Sequence, residues 1–203
     1  LTQRGPVTLW TRYPDVFASL PLIRFTAEKA GTVLGYSRGP GRNFYDDMVR
    51  ASGLTEAPGF SAMFPVLDKH IEWAKSKGGP IVLLKEPHAT DMHKRSNDFS
   101  LAASADSMQR FIDTHRASFY FVAVDGPNDL YKARLSNIDE RISGLTVREY
   151  LSLCSVVSAF ASQIGHLVPI AQALGKHLYL FEPERNVAQN TRHIRAASVI
   201  VRG

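Results

Sequence analysis

Six short runs of apolar and β-branched residues punctuate the chain: Val7–Trp10, Ile81–Leu84, Phe119–Val124, Val156–Ser158, His177–Phe181 and Ser198–Val201. Most are continuous apolar strings and not strict alternations, the pattern of strands covered on both faces. Helical periodicity fills the gaps between them. Phe64–Lys77 sets Leu67, His70, Ile71 and Ala74 on one side, and Ser104–Arg116 does the same with Ala105, Met108, Phe111 and Ile112. Ser104 is the expected N-cap of that second helix. Thr146–Ser155 opens on a Thr146-Val147-Arg148-Glu149 capping box, and His166–Leu174 is closed by Gly175. Strand alternating with helix predicts an α/β fold, a Rossmann-like parallel sheet with helices on both faces.

One stretch invites a different reading. Leu151–Leu174 contains no Asp, Glu, Lys or Arg and is long enough to cross a bilayer. It also carries four serines, Gln163, Gly165, His166, Pro169 and Gln172, which argue against insertion. The run divides better into a buried strand at Val156–Ser158, a turn at Ala159–Gly165 and a helix from His166.

The alternation is clear from Ile81 onward. Residues 1–63 show one confident strand, a helix at Phe44–Gly53 and many turn formers. Gly35–Asp47 reads as a surface loop by its turn chemistry, with a basic loop over an anionic ligand as the sharper alternative. Leu54–Pro65 reads as a linker. The expected organisation is a short N-terminal α/β unit over 1–63, reduced or incomplete, followed by a Rossmann-like domain over 64–203.

Composition changes this picture little. The chain is 44% hydrophobic and 21% charged, the balance of a globular protein able to bury a core. Its single cysteine, Cys154, excludes an internal disulfide framework and suits a reducing compartment. The net charge of +5 suits an anionic partner, without choosing among nucleotide, nucleic acid and membrane surface. No stacked aromatic–basic pattern supports nucleic acid. The chain has no GxxxxGK[ST] loop, no GxGxxG after a strand, no HExxH and no GxSxG elbow. His88, Asp91 and His93 match no ligand spacing, so no metal site is assigned.

Ligands of open parallel sheets sit beyond the carboxyl ends of the strands. The segments Lys85–Asn97, Asp125–Asp129, Ala159–His166 and Glu182–Arg185 all follow strands and should gather on one edge. The turn before the His166 helix offers backbone N–H groups suited to a diphosphate. Ser158 and Ser162 are turn or cap residues unless that diphosphate site exists. His166 is either a ligand contact or a capping histidine, and Glu182 is either a ligand contact or an exposed loop carboxylate.

The segments Ile81–Arg95, Ile142–Ser155 and Val157–Pro183, together with the spacing Ser158…His166-Leu167…Ala173-Leu174-Gly175-Lys176…Leu180-Phe181…Pro183, resemble the donor domain of GT-B glycosyltransferases. Within that class they are most similar to the ADP-heptose:lipopolysaccharide heptosyltransferases. The resemblance covers about residues 81–185, and Arg4–Pro21 looks like the second strand of that family's acceptor domain. It implies a nucleotide-diphosphate sugar as donor substrate, a glycan or lipid-linked acceptor, and no bound cofactor or metal. It places the diphosphate at Ala161–His166, with Ser158, Ser162, Gly165, His166, Lys85, Lys94, Arg95 and Glu182 around the donor. A positive side chain there would assist departure of the nucleoside diphosphate. The family's base-bearing Gly-Asp loop should lie upstream of Leu1. No catalytic residue is assigned, since Asp46 and Asp47 are candidates by proximity only. The expected setting is cytoplasmic, at most peripheral to the inner membrane face. The alternative is a degenerate relative that binds a nucleotide or a partner without catalysis.

Overall fold

The computed structural model describes residues 7–9, 23–26, 64, 66–87, 100–125, 133–163, 165–182 and 198–202. Two short strands, β1 (Val7–Leu9) and β2 (Ile23–Phe25), pair in parallel with Val7 opposite Ile23. The remaining strands, β3 (Ile81–Leu84), β4 (Tyr120–Val124), β5 (Glu140–Ile142), β6 (Ala159–Ser162), β7 (His177–Glu182) and β8 (Ser198–Arg202), form one sheet in the order β5-β4-β3-β6-β7-β8. Every pairing in it is parallel. Counted from β3, the order is third, second, first, fourth, fifth, sixth. This is the dinucleotide-binding Rossmann arrangement, in which chain direction reverses across the sheet between β3 and β6.

Among the described residues four helices accompany this sheet: α1 (Asp68–Ser76), α2 (Ser100–His115), α3 (Val147–Val156) and α4 (Leu167–Ala173). Successive strand residues point to opposite faces, so each apolar string feeds two cores. Ile81, Leu83, Phe160, Leu178 and Leu180 pack with Leu153, Val157, Leu167 and Ala171. Val82, Leu84, Phe121, Ala159, Ala161 and Phe181 pack on the other side with Met108, Phe111 and Ile112 of α2. All four residues of β3 and of β6 are buried. Double coverage is why these strands do not alternate in the sequence.

Local chemistry sets several ends. Thr146 and Glu149 form the expected capping box, the Thr146 hydroxyl accepting from the Glu149 amide and the Glu149 carboxylate from the Thr146 amide. That carboxyl is depressed to about 2, chiefly by its contact with the Lys69 ammonium. Gly175, at φ +64°, closes α4: its amide donates to Gln172 O and the Lys176 amide to Ala171 O, the two bonds of a Schellman turn.

The structure corrects the reading of residues 156–165. No strand forms at Val156–Ser158, because α3 runs through Val156 and the strand is Ala159–Ser162. Ser104 lies inside α2 and does not cap it, and α1 begins at Asp68, after an extended Leu67. The helix expected at Phe44–Gly53 lies outside the described residues, as does most of the segment expected to separate two units.

α1 meets α3 through a buried polar contact. His70 Nδ1 lies 2.8 Å from Ser152 Oγ, which also accepts from the Leu67 amide at 2.8 Å. The serine hydroxyl keeps its proton available for Nδ1 of a neutral ring, the direction being set by the imidazole tautomer. Burial, helped by the Lys69 charge, lowers the His70 pKa from its ordinary 6.5, against a smaller opposing pull from Glu149. The unfolded chain then takes up this proton first on acidification. Stability from this site is full above pH 6.5 and falls as pH drops toward the lowered folded value. Urea titrations at pH 7.5 and 5 should show this loss in the wild type and a smaller one in His70→Gln.

Candidate functional site

The carboxyl ends of β3 and β6 flank the point of reversal, where open α/β sheets bind ligands. A small cleft, open to solvent, lies there, lined by Lys85, Glu86, Ser162, Gln163, Gly165, His166 and Leu167. The backbone continues the ladder into the site, with the Lys85 amide donating to Ala161 O at 3.0 Å.

Ser162 ends β6 and is 3% exposed. Among the described residues its hydroxyl oxygen is the buried side-chain polar atom without a hydrogen-bond partner. Leaving such a group unsatisfied costs roughly 1–3 kcal/mol. The opposite edge of the sheet is differently built. There the Glu140 carboxylate receives Trp73 Nε1–H at 3.1 and 3.2 Å, the Tyr120 hydroxyl at 3.2 Å and the Lys77 ammonium at 2.6 Å. Burial pushes the Glu140 carboxyl up, but these donors outweigh it and hold it below its ordinary range. The polar groups of that edge satisfy one another, whereas the carboxyl edge holds a hydroxyl that does not.

Glu86 forms the other wall. Its carboxylate is 2% exposed and takes both ends of the Arg141 guanidinium, at 2.6 and 2.9 Å, with the Leu135 amide at 2.6 Å. Arg141 also donates to Leu135 O at 2.7 Å, and Arg134 stands 3.7 Å from Asp125 and 3.9 Å from Glu86. This network fastens residues 133–135 to the end of β3. Both carboxylate oxygens of Glu86 accept from Arg141, and one also from the Leu135 amide, which makes the side chain a fixed wall of the cleft.

His166 is the N-cap of α4, exposed at the rim, with its Nε2 2.7 Å from the Tyr150 hydroxyl of α3. Of the residues singled out from sequence, Lys85, Ser162, Gly165 and His166 come together here. Glu182 ends β7 on the same edge, its backbone in register with Arg202 of β8. Ser158 does not join them. It lies at the amino end of β6, where its hydroxyl accepts from the Ile81 amide at 3.2 Å. Four residues of strand, about 13 Å, separate it from the cleft. Lys94, Arg95, Asp46 and Asp47 lie outside the described residues, as do His88, Asp91 and His93. Sequence reasoning missed Tyr150, Glu86 and Arg141. The signal for Glu86 was available, a carboxylate directly after a wholly apolar strand; Tyr150 gave none, since only the packing of α3 beside α4 brings it to His166.

No protein-family model matches the chain, and no curated protein matches it in sequence. Solved structures do. A glycosyl transferase family 9 protein from Veillonella parvula superposes with a TM-score of 0.52 and 10% identity, over 92% of this chain and 54% of its own. TibC of enterotoxigenic E. coli, described as an iron-containing dodecameric glycosyltransferase, gives 0.57 and 14% identity over 95% and 53%. The fold is one that glycosyltransferases use. The chain spans about half the length of these neighbours. Among the described residues no helix is long and apolar enough to cross a membrane, and residues 151–174 divide into α3, β6 and α4.

Proposed function

We propose that this chain binds a nucleotide-diphosphate sugar at the β3/β6 cleft and belongs to a GT-B glycosyltransferase of heptosyltransferase-like type. The sugar would pass to a glycan or lipid-linked acceptor. The observation that carries the reading is the Ser162 hydroxyl, buried and unpartnered at the floor of a cleft that lies at the reversal point of a Rossmann sheet. A diphosphate oxygen would satisfy it, and Lys85 supplies positive charge at the same wall. Gly165 and His166 complete the rim, with Glu182, Lys94 and Arg95 as further donor contacts. In this reading residues 64–203 form the donor domain and 1–63 belong to the acceptor side. α4 is too short for its dipole to matter greatly, so the case rests on the cleft and its hydroxyl.

A second reading, nucleotide binding without transfer, is favoured by the engagement of Glu86, the carboxylate of the cleft, with Arg141 and Leu135. One experiment addresses both. A panel of ADP-, GDP-, UDP- and CMP-linked sugars should contain one that raises the melting temperature by mass action. Ser162→Ala should bind it roughly tenfold more weakly, the worth of one charge-assisted hydrogen bond. Its own stability should be unchanged or slightly higher, because the alanine deletes an unsatisfied buried group. No shift with any member would remove the donor-site reading. A shift without turnover of the bound sugar nucleotide, even to water, would favour the second.

A further inference from the structure

Arg134 is held by its backbone and not by its side chain. The residue before it, Ala133, donates its amide to Pro87 O at 2.9 Å, and the residue after it, Leu135, donates to the Glu86 carboxylate at 2.6 Å. The main chain on either side of Arg134 is therefore tied to the two residues that follow Lys85 beyond β3, at the wall of the cleft. The two arginines near Glu86 are used differently. Arg141 gives Glu86 two hydrogen bonds and Leu135 O a third. Arg134 stands 3.9 Å from Glu86 and 3.7 Å from Asp125, both beyond hydrogen-bond length, and its side chain is 62% exposed. Ion pairs that long and that exposed add little to stability.

The charge of Arg134 still matters to the cleft. Glu86 and Asp125 place a carboxylate after β3 and another after β4. Arg141 offsets the first, and Arg134 is the cation that faces the second. Among the described residues its five N–H donors meet no acceptor at hydrogen-bond distance, and a guanidinium has no other use for them.

We infer that Arg134 is a second phosphate contact of the cleft, one that selects a nucleoside diphosphate over a monophosphate. This rests on the donor-site reading above, which sets one phosphate at the Ser162 hydroxyl. β6, β3 and β4 are neighbours in the sheet, so Ser162, Glu86 and Asp125 step across its carboxyl edge in that order. Adjacent strands lie about 4.8 Å apart. A guanidinium set over the last two of these residues is thus offset from Ser162, and it meets the second phosphate of a diphosphate better than the first. Its planar fork matches two phosphate oxygens at once, and its fixed backbone lowers the cost of holding it there.

The test compares ligands that differ by one phosphate. Affinities for the mono- and diphosphates of adenosine, guanosine, uridine and cytidine are measured by calorimetry for the wild type, Arg134→Met and Arg134→Lys. Arg134→Met should weaken the preferred diphosphate roughly tenfold to thirtyfold, the worth of a charge-assisted hydrogen bond, and its monophosphate less than about twofold. Arg134→Lys should recover part of the loss, since it keeps the charge without the fork. The melting temperature without ligand should stay close to that of the wild type. In an Asp125→Asn background most of the loss from Arg134→Met should persist, because the contact is missing whether or not a carboxylate is uncovered. Full recovery there would assign the effect to the bared Asp125 and overturn the inference. So would an equal loss for mono- and diphosphate, no loss at all, or a clear fall in melting temperature in the absence of ligand. Each of those results leaves the site reading standing, whereas failure of the wild type to bind any of the eight would overturn both.

Discussion

Replacing Glu86 with alanine should destabilise the protein by about 3 kcal/mol, the lower end of the cost of breaking a buried ion pair by removing one partner. The lower end applies because the Arg141 side chain is 32% exposed and can recruit some water, whereas Glu86 is 2% exposed and cannot be replaced by it. The loss has three parts: a bidentate guanidinium left without its carboxylate, a Leu135 amide without its acceptor, and a void beside β3. A fall in melting temperature of roughly 6–12 °C follows for a chain of this size. Arg141→Met tests the pairing from the other side and should also destabilise, since it strands the deeper charge. The double variant Glu86→Leu/Arg141→Met removes both charges and should recover much of the loss. Urea unfolding of the three proteins measures the coupling, and a double variant as unstable as the sum of the singles would show that the pair is not the unit. Because the network holds residues 133–135 against the end of β3, Glu86→Ala should also loosen the cleft wall, so nucleotide binding should fall further than the stability loss alone requires.

Lys176→Met should cost about 2 kcal/mol, the upper range for a cation at a partly buried helix C-terminus. Its ammonium lies 3.1 Å from Cys154 O and 2.6 Å from Ser155 O and also donates to Val157 O, so one side chain satisfies three carbonyls at the end of α3. Methionine keeps the length and apolar stem of lysine but strands those acceptors. The expected readout is a drop of roughly 4–8 °C in melting temperature. Lys176→Arg, which retains charge and donors, should recover part of it. Equal melting temperatures for methionine variant and wild type would mean that water replaces the ammonium without loss.

That same contact explains why part of the chain was legible in sequence and part was not. β3 was plain because Ile81–Leu84 is wholly apolar and bounded by Pro80 and a charged pair, and it is buried throughout. The Thr146–Glu149 box and Gly175 were plain because capping is local chemistry. β6 was misplaced because Ala159, Ala161 and Ser162 have little strand propensity, while Val156 and Val157 have much. Its position is decided by non-local packing: small residues fit between β3 and β7 under α2, and the Lys176 ammonium ends α3 just after Val156. β5 escaped notice as a three-residue edge strand reading Glu-Arg-Ile, none of it fully buried. The site divided in the same way. Following an apolar string to its carboxyl end found Lys85 and, through the turn, Ser162 and His166. Placing β6 three residues too early put Ser158 at the wrong edge of the sheet, and Tyr150 depended on a helix–helix neighbour that no spacing announces.

The only cysteine of the chain, Cys154, is fully buried on α3, and burial pushes its thiol up to about 12. The native protein thus carries a silent thiol, since neither access nor ionisation lets a labelling reagent react with it. Two practical properties follow. Modification of Cys154 reports the opening of the core that joins α3 to β3, β6 and β7, a clock for unfolding that needs no engineered probe. A cysteine introduced at the rim of the cleft can be labelled alone, so a fluorophore or spin label placed there would watch the site without background from the rest of the chain.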